Sequence, residues 1–422
     1  MKYFHDARDD FFDMRWGMWL HFGLYSIEGW HEQDQWRRRI PRADYVKLVD
    51  RFNPTRFDPE AILDLAESVG MKYLSITTKH HDGFCLWNTA ETDYNAVNTP
   101  YGRDIIRQLA DACHRRHFPL GLYYSVVDWH HPNYPNEGRH HELPGPLPGD
   151  TPDWGRYMEY LRRQVRELCT QYGKIAHFFW DINVPEHRDP TVNQMIRELQ
   201  PGIVINDRGF DEGDFGTPER EYHQCAAARR FDRPMEACNS VGRQSWGYRE
   251  QEDYYTVAHL IRSMDAMFAR GANYLLNVGP DATGCIPEKA ASILRRIGDW
   301  RRRVGEAFDG CEPASELVYN GEVFATRRGN TLYVHQCQPL QTEAILLNNI
   351  VRQPARAILL NTGEPVETAV DVLPIHWKEG KPCLRIRNLP VEALHNEVPV
   401  IRLEFNEPLE GIGGTRVEAY EG

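Results

Sequence analysis

The sequence predicts an α/β fold, a TIM-type (β/α)8-like barrel followed by a C-terminal antiparallel β-sandwich. Between about residues 15 and 280, short apolar runs alternate with amphipathic segments of helical length, as in repeated βα units around a parallel sheet. Seven strands are recognisable there, and an eighth that is too irregular to recognise would complete a barrel. Beyond about residue 315, short alternating strands separated by turn residues indicate a β-sandwich.

The predicted elements follow in order. The barrel strands are Met18–Leu24, Tyr73–Thr78, Leu120–Ser125, Ile175–Ile182, Ile203–Asn206, Met235–Ser240 and Tyr274–Val278. Helices are predicted at Pro59–Val69, Asp104–Arg116, Trp154–Tyr172, Thr256–Arg270 and Ile286–Arg303. Turn residues at 309–313 place the domain boundary, with the barrel at 1–312 and the β-sandwich at 313–422. The second domain has predicted strands at Thr331–His335, Ala344–Leu347, Ala357–Leu360, Cys383–Ile386 and Val398–Phe405.

Composition narrows the class of protein. A formal net charge of -12 argues against a nucleic-acid partner, and no apolar run is long enough to span a membrane. The arginine-rich segment Trp36–Arg39 is interpreted as a solvated surface.

The N-terminal residues lack the apolar region of a secretory signal, so a cytoplasmic location is predicted unless a leader has been removed. Nine cysteines without a CxxC pair argue against disulfide frameworks and structural zinc. Homo-oligomerisation is left open.

Polar residues collect where the predicted barrel strands end, which is where catalytic groups of such barrels lie. Asp181 ends an apolar strand, where a carboxylate is costly unless it is paired or used. Lys79-His80-His81-Asp82 follows the second strand, and Asn206-Asp207-Arg208 follows the fifth. Aromatic rings, histidines and paired carboxylates at one barrel mouth are typical of a glycosidase. Glu219, Glu221 and Glu236 are further carboxylates in the segments that follow.

A metal-dependent hydrolase is the rival hypothesis, because adjacent histidines occur at 80–81, 130–131 and 140–141. Neighbouring residues on a strand point to opposite faces, so such a pair rarely supplies two ligands to one ion. No HExxH motif occurs either. We therefore predict neither a metal nor another cofactor.

Several blocks in order resemble the α-L-fucosidases of glycoside hydrolase family 29. They include WGMWLHFGLYS, ITTKHHDGFCLW, LGLYYSVVDWHHPNYP, IVINDR, GDFGTPE, MEACNSVGRQSWGY and NYLLNVGPDATG. The resemblance implies a retaining exo-glycosidase that acts on a fucosylated oligosaccharide or glycoconjugate without a metal. A related α-glycosidase with another glycone and a non-catalytic carbohydrate-binding barrel are the alternatives.

The resemblance also implies roles for individual residues. Asp181 in FFWDI matches the family nucleophile. Glu236 is the chosen general acid/base, and Glu219 is its alternative. The implied sugar-binding residues are His21, Glu32, His80, His81, Trp87, Tyr124, Phe179, Arg208 and Trp246. Two departures leave the glycone open, since Phe179 stands where the family has Trp and Ile182-Asn183 replaces a Gly.

Overall fold

A computed structural model describes residues 3–181, 188–220, 229–318, 320–374, 378 and 380–411. Seven parallel strands form one sheet in the spatial order β5-β4-β3-β2-β1-β7-β6. Their bounds are β1 Trp16–Leu20, β2 Tyr73–Lys79, β3 Leu120–Ser125, β4 His177–Asp181, β5 Val204–Ile205, β6 Glu236–Ser240 and β7 Asn273–Val278. The accompanying helices are α1 Asp9–Asp13, α2 Tyr25–Glu28, α3 Asp34–Arg37, α4 Arg42–Tyr45, α5 Pro59–Val69, α6 Ile105–Arg115, α7 Trp154–Gln171, α8 Thr191–Leu199, α9 Val257–Ala269 and α10 Glu288–Val304.

An irregular segment, residues 215–219, lies between the two edge strands. Phe215 makes a parallel bridge with Asn206, directly after β5, and Gly216 and Glu219 make parallel bridges with Met235 and Cys238 at β6. These isolated bridges occupy the place of the eighth strand, which explains why no strand pattern is visible there. The predicted barrel is confirmed. The first predicted strand, Met18–Leu24, is shifted, because the structure has a strand at 16–20.

Alternate strand residues fill the barrel interior in layers. At the amino ends of the strands, the hydroxyl of Tyr73 donates to Glu236 Oε1 at 2.6 Å, and His177 Nε2 lies 3.0 Å from Glu236 Oε2. All three side chains are fully buried. The rings fit because Gly17 and Gly121 have no side chain, since a Cβ there would lie 2.3 and 2.4 Å from Tyr73 and His177.

An aromatic layer lies above this one. The ring centroid of Trp19 is 4.8 Å from that of Phe179 and 5.8 Å from that of Tyr123. The next inward positions along the strands, at their carboxyl ends, carry polar groups that include Asp181 and Asn277. The aromatic layer therefore separates the polar amino end of the barrel from its polar mouth.

The second half of the chain forms two antiparallel sheets, a six-stranded one in the order β13-β12-β16-β10-β9-β8 and a three-stranded one in the order β11-β15-β14. Their strands are β8 Glu312–Pro313, β9 Val323–Arg328, β10 Thr331–Gln336, β11 Ile345–Leu347, β12 Arg356–Leu359, β13 Glu364–Pro365, β14 Glu367–Asp371, β15 Cys383–Arg387 and β16 Val400–Glu404, with a short helix α11 Val391–Leu394. The predicted β-sandwich is confirmed. The boundary between residues 312 and 313 stays a prediction.

Buried polar contacts join the barrel to the β-sandwich. Asp265 on α9 accepts from His335 Nδ1 at 2.8 Å and from Cys337 Sγ at 2.9 Å. Asp265 and His335 are fully buried, and Trp300 on α10 donates to the carbonyl oxygen of Val398 at 3.1 Å. Because these groups have no access to water, each depends on its partner across the interface.

We predict that Asp265→Ala lowers the free energy of unfolding by about 2–3 kcal/mol, because it leaves buried donors without an acceptor. Urea unfolding followed by circular dichroism measures the change. Asp111→Ala on α6 is the matched control, since this half-exposed carboxylate lies 3.9 Å from Arg107 and should matter little. Equal midpoints for the two variants would contradict the assignment of Asp265 as an interface acceptor.

Candidate functional site

A cavity of about 930 Å3 opens at the carboxyl ends of the barrel strands. The strands and the loops that follow them both contribute to its wall. The lining residues are Trp19, His21, His31, Glu32, Gln33, Arg37, His80, His81, Arg139, His140, His141, Glu142, Asp181, Arg208, Glu219, Arg220, Arg243, Gln244 and Trp246. Most of the predicted site residues are therefore brought together, although they come from distant parts of the sequence.

Asp181 ends β4 and faces the cavity with 14% of its side chain exposed. Its Oδ2 accepts a hydrogen bond from the Tyr123 hydroxyl at 2.7 Å, and its Oδ1 accepts one from Arg208 at 3.2 Å. Burial acts to raise the pKa of Asp181, but the positive charge of Arg208 and the hydrogen bond from Tyr123 outweigh it and lower the pKa below its ordinary value. Asp181 is therefore an oriented carboxylate that is ionised at neutral pH.

Arg208 joins two carboxylates at the cavity wall. One guanidinium nitrogen donates to Asp181, and another donates to Glu219 Oε2 at 2.7 Å. Thr217 fixes the guanidinium further by accepting from Nε at 2.7 Å. The side chain of Glu219 is 40% exposed. A buried, oriented carboxylate and an exposed one thus share a single cation, an arrangement suited to acid–base and nucleophilic chemistry on a bound molecule.

Three histidines face the same space in uncharged form. Burial lowers the pKa of His21 to about 4 and that of His81 to about 3, and it lowers the pKa of His80 well below its usual range. His21 Nδ1 bonds Asn277 Oδ1 at 2.7 Å, and His81 Nδ1 bonds the Ser125 hydroxyl at 2.6 Å. Neutral imidazoles can both donate to and accept from hydroxyl groups.

Glu32 and Trp246 form the opposite wall. Glu32 Oε2 accepts from the Ser245 hydroxyl at 2.7 Å and from the backbone N–H of Trp246 at 2.8 Å. Burial acts to raise the pKa of Glu32, but the neighbouring histidines and the Ser245 bond lower it to about 2. The Trp246 ring stacks on His21, with centroids 5.4 Å apart. The carboxylate thereby fixes the loop that presents the tryptophan.

His80, His81 and Asp181 also form a group whose potential metal-ligand atoms all lie within 4.8 Å of one another. The expectation that adjacent histidines point to opposite faces is wrong for this pair, because β2 ends at Lys79 and alternation no longer applies beyond it. Both rings face the cavity, with centroids 4.1 Å apart. Asp181 Oδ2 already accepts from Tyr123, so this oxygen is engaged within the protein.

Glu236, the predicted acid/base, lies elsewhere. It is fully buried in the layer at the amino end of the barrel, where it is level with His177. His177 and Asp181 are four residues apart on β4, a rise of roughly 13 Å along the strand. The aromatic layer fills the space between Glu236 and the cavity. The aromatic layer therefore separates Glu236 from any molecule held by Asp181. Glu219, the alternative acid/base, lines the cavity.

Three predicted sugar-binding residues are not among the lining residues. Trp87 is fully buried and donates to Glu167 Oε2 at 3.0 Å. Tyr124 points away from the barrel interior and donates to Gln164 Oε1 at 2.7 Å. Phe179 belongs to the aromatic layer below the cavity, with the Arg208 guanidinium 5.4 Å from its ring centroid. Ile182 and Asn183, which replace a Gly of the family pattern, lie outside the described residues.

Sequence reasoning also missed residues that the structure places at the site. Tyr123, rather than Tyr124, contacts Asp181, and strand alternation relative to Asp181 could have indicated it. Two of the other missed residues lie in regular elements, Trp19 in β1 and Arg37 at the end of α3. The rest come from loops, for which no periodicity exists, and they are His31, Gln33, Arg139, His140, His141, Glu142, Arg220, Arg243 and Gln244.

Known proteins resemble this chain over most of its length. A sequence model described as "Alpha-L-fucosidase" matches residues 4–306. The α-L-fucosidase of Dictyostelium discoideum is 27% identical over 436 residues, which cover 92% of this chain and 90% of that protein. The structure of α-L-fucosidase isoenzyme 1 from Paenibacillus thiaminolyticus is similar with a TM-score of 0.83 and 34% identity, covering 95% of this chain and 100% of that one.

A third similar protein carries mechanistic information. It is an α-L-fucosidase of family GH29 from Bacteroides thetaiotaomicron, solved as a trapped covalent intermediate with 2-fluoro-fucosyl fluoride in a glutamate-to-glutamine mutant. The TM-score is 0.78 with 27% identity, covering 94% of this chain and 95% of that one.

We predict that Tyr123→Phe raises the pKa of Asp181, because it removes a hydrogen bond that stabilises the charged carboxylate. Carbon NMR of the aspartate carboxyl groups during an acid titration measures the shift. Tyr124→Phe is the matched control, since its hydroxyl bonds Gln164 outside the cavity, and should leave the Asp181 titration unchanged. Identical titrations in both variants would contradict the proposed electrostatic role of Tyr123.

Proposed function

Because the chain belongs to the α-L-fucosidase family, glycoside hydrolase family 29, we propose that its cavity hydrolyses α-L-fucosides through a covalent glycosyl-enzyme intermediate, with net retention of configuration. The predicted family and the predicted enzyme class, a glycoside hydrolase, are thereby confirmed. The observation that carries the proposal for this site is the pair of carboxylates, Asp181 and Glu219, held by the single guanidinium of Arg208. Retaining glycosidases need two carboxyl groups at one glycosidic bond.

Asp181 is the proposed nucleophile. Its low pKa keeps it ionised, and its bonds to Tyr123 and Arg208 orient the carboxylate toward the cavity. Attack on the anomeric carbon forms a glycosyl ester, and the bond to the leaving oxygen breaks. The ester carbonyl then remains within reach of the same two donors.

Glu219 is the proposed acid/base, in place of Glu236. It lines the cavity, it is partly exposed, and it shares Arg208 with the nucleophile. In protonated form it gives its proton to the leaving oxygen, and as a carboxylate it then takes a proton from the water that hydrolyses the ester. Arg208 keeps one anionic partner throughout, because Glu219 becomes charged in the step in which Asp181 loses its charge.

The remaining cavity groups suit a neutral sugar. His21, His80 and His81 are uncharged hydrogen-bonding groups, and the rings of Trp19 and Trp246 can cover an apolar sugar face. The two-carboxylate mechanism requires no step at a metal, and coordination by Asp181 would occupy the attacking group.

The proposed substrate is a fucosylated oligosaccharide or glycoconjugate. In the part of the chain that the structure describes, no helix is long and apolar enough to cross a membrane. The cytoplasmic location and any homo-oligomer stay predictions. Hydrolysis of a chromogenic aryl α-L-fucoside, compared with the α-galactoside and α-glucoside, tests the proposed glycone, and preference for either of the latter would overturn it.

We predict that Asp181→Gly abolishes nearly all turnover of aryl α-L-fucoside without unfolding the protein, because the glycosyl ester cannot form. Added azide should restore turnover and give a fucosyl azide of inverted configuration, which NMR identifies. Circular dichroism checks the fold. Substantial hydrolysis by this variant without azide would exclude Asp181 as the nucleophile.

We predict that Glu219→Ala loses on the order of 10²–10⁴ in rate on a fucosyl disaccharide, the usual contribution of acid–base catalysis. It should lose far less in the glycosylation step of an activated aryl fucoside, because a phenolate departs without a proton, and azide should accelerate its deglycosylation step. Presteady-state and steady-state kinetics separate the two steps.

Glu236→Ala is the informative comparison for this prediction. It should affect both substrates in equal proportion and should lower the unfolding midpoint, because it leaves the Tyr73 hydroxyl without its buried acceptor and removes the carboxylate that packs 3.0 Å from His177 Nε2. Leaving-group dependence and azide acceleration in Glu236→Ala, with neither effect in Glu219→Ala, would reverse the two assignments.

A further inference from the structure

The rim of the cavity is rich in arginine, although the protein as a whole has a net charge of -12. Among the described residues, five arginines line the cavity. Arg208 is bound to the two proposed catalytic carboxylates, and Arg139 is paired with Glu142 at 2.8 Å. The other three, Arg37, Arg220 and Arg243, have no carboxylate within 4.0 Å among the residues that the structure describes.

The contacts of these three arginines are with neutral groups. Arg37 Nε donates to Gln33 Oε1 at 2.9 Å. Arg220 donates to the carbonyl oxygens of Gly242 and Arg243, and its guanidinium lies 4.2 Å from the ring centroid of Trp246. Among the described residues, none forms a hydrogen bond, an ion pair or a ring contact with the Arg243 guanidinium. Within the described part of the protein, these three guanidinium groups are therefore not paired directly with a carboxylate.

The rim and the floor of the cavity differ in accessibility. His21, His80 and Trp19 at the floor are buried, whereas Arg37, Arg243 and Glu219 are exposed. A fucosyl group attacked by Asp181 occupies the floor. The group that receives a proton from Glu219 must leave toward the rim, so the arginines face the leaving group rather than the fucose.

A second cavity, of about 540 Å3, adjoins this rim and shares Arg37 with the first. Its wall includes Trp36, whose ring is half-buried and whose Nε1 donates to the carbonyl oxygen of Glu142 at 2.7 Å. Leu143 and Leu147 lie in the same wall. An indole ring held in this way is a suitable platform for a further sugar. The segment Trp36–Arg39, interpreted from sequence as a solvated surface, thus includes lining residues of both cavities.

We propose that the natural leaving group is an anionic saccharide, bearing a sulfate ester or a carboxylate that Arg37 and Arg243 bind. This inference rests on the proposed function, because it assigns the leaving-group side of the same reaction. Guanidinium groups bind such oxyanions in bidentate geometry, and three positive charges without a directly paired carboxylate among the described residues raise the local concentration of an anionic substrate.

Matched disaccharide pairs test the proposal. A fucosyl-galactose with a sulfate ester on galactose is compared with its unsulfated parent, and a fucosyl-uronic acid is compared with the corresponding neutral fucosyl-hexose. We expect kcat/KM to be higher for at least one anionic member by on the order of tenfold, and the preferred pair distinguishes sulfate from carboxylate. The preference should shrink when ionic strength is raised.

Variants locate the effect. The ratio of anionic to neutral kcat/KM should fall toward one in Arg37→Gln and Arg243→Gln. Arg38→Gln is the control, because Arg38 is adjacent in sequence but is paired with Asp34 at 3.3 Å and does not line the cavity, and its ratio should match the parent protein. A decrease of equal size in this ratio for Arg38→Gln would mean a general effect of surface charge and would overturn the assignment of Arg37 and Arg243 as the binding site.

The results of these experiments distinguish failure of the anionic leaving group from failure of the proposed fucosidase function. Hydrolysis of aryl fucoside with equal rates on both members of each pair overturns the anionic leaving group and leaves the fucosidase function intact. If no fucoside is hydrolysed, the proposed function fails, and calorimetry with the same disaccharides decides the binding question. Tighter binding of an anionic member supports the arginine site, and equal binding overturns it.

Discussion

The guanidinium of Arg208 is the interaction on which the proposed site depends. It donates to Asp181 at 3.2 Å and to Glu219 at 2.7 Å, and Thr217 fixes it from a third direction. Two carboxylates bound to one guanidinium would repel each other if both were charged. A shared cation reduces that repulsion, and in the proposed mechanism it keeps one anionic partner, because Glu219 becomes charged in the step in which Asp181 loses its charge. The two carboxylates are therefore bound to neighbouring nitrogens of one guanidinium.

The layered interior of the barrel decides which carboxylates can take part. Inward positions at the amino ends of the strands face a closed layer, where Glu236 is bound to Tyr73 and lies against His177. Inward positions at the carboxyl ends face the cavity, where Asp181 lies. Glu236 at the start of β6 is thus a buried packing partner, whereas Asp181 at the end of β4 faces the cavity and is a candidate nucleophile.

Much of this could be predicted from sequence, and the failures have physical causes. The parallel strands, the β-sandwich and Asp181 follow from apolar periodicity and from motifs. The motif YYS offers both Tyr123 and Tyr124, and the motif alone does not say which of the two faces Asp181. The face reached by His80 and His81 could not be predicted, because both follow the end of β2. Glu219 lies on a segment joined by isolated bridges, for which no strand pattern exists.

Burial keeps the histidines at the floor of the cavity neutral, whereas the exposed arginines at its rim are charged. Composition alone does not reveal this difference. The histidines at its floor are held neutral, so they do not compete with Arg208 for Asp181 and remain able to exchange hydrogen bonds with hydroxyl groups. The permanent positive charges lie at the exposed rim, where water screens them until a substrate excludes it. Because the histidines at the floor are uncharged and the arginines at the rim are charged, the proposed anionic substrate would bind with its fucosyl group inward and its anionic group at the rim.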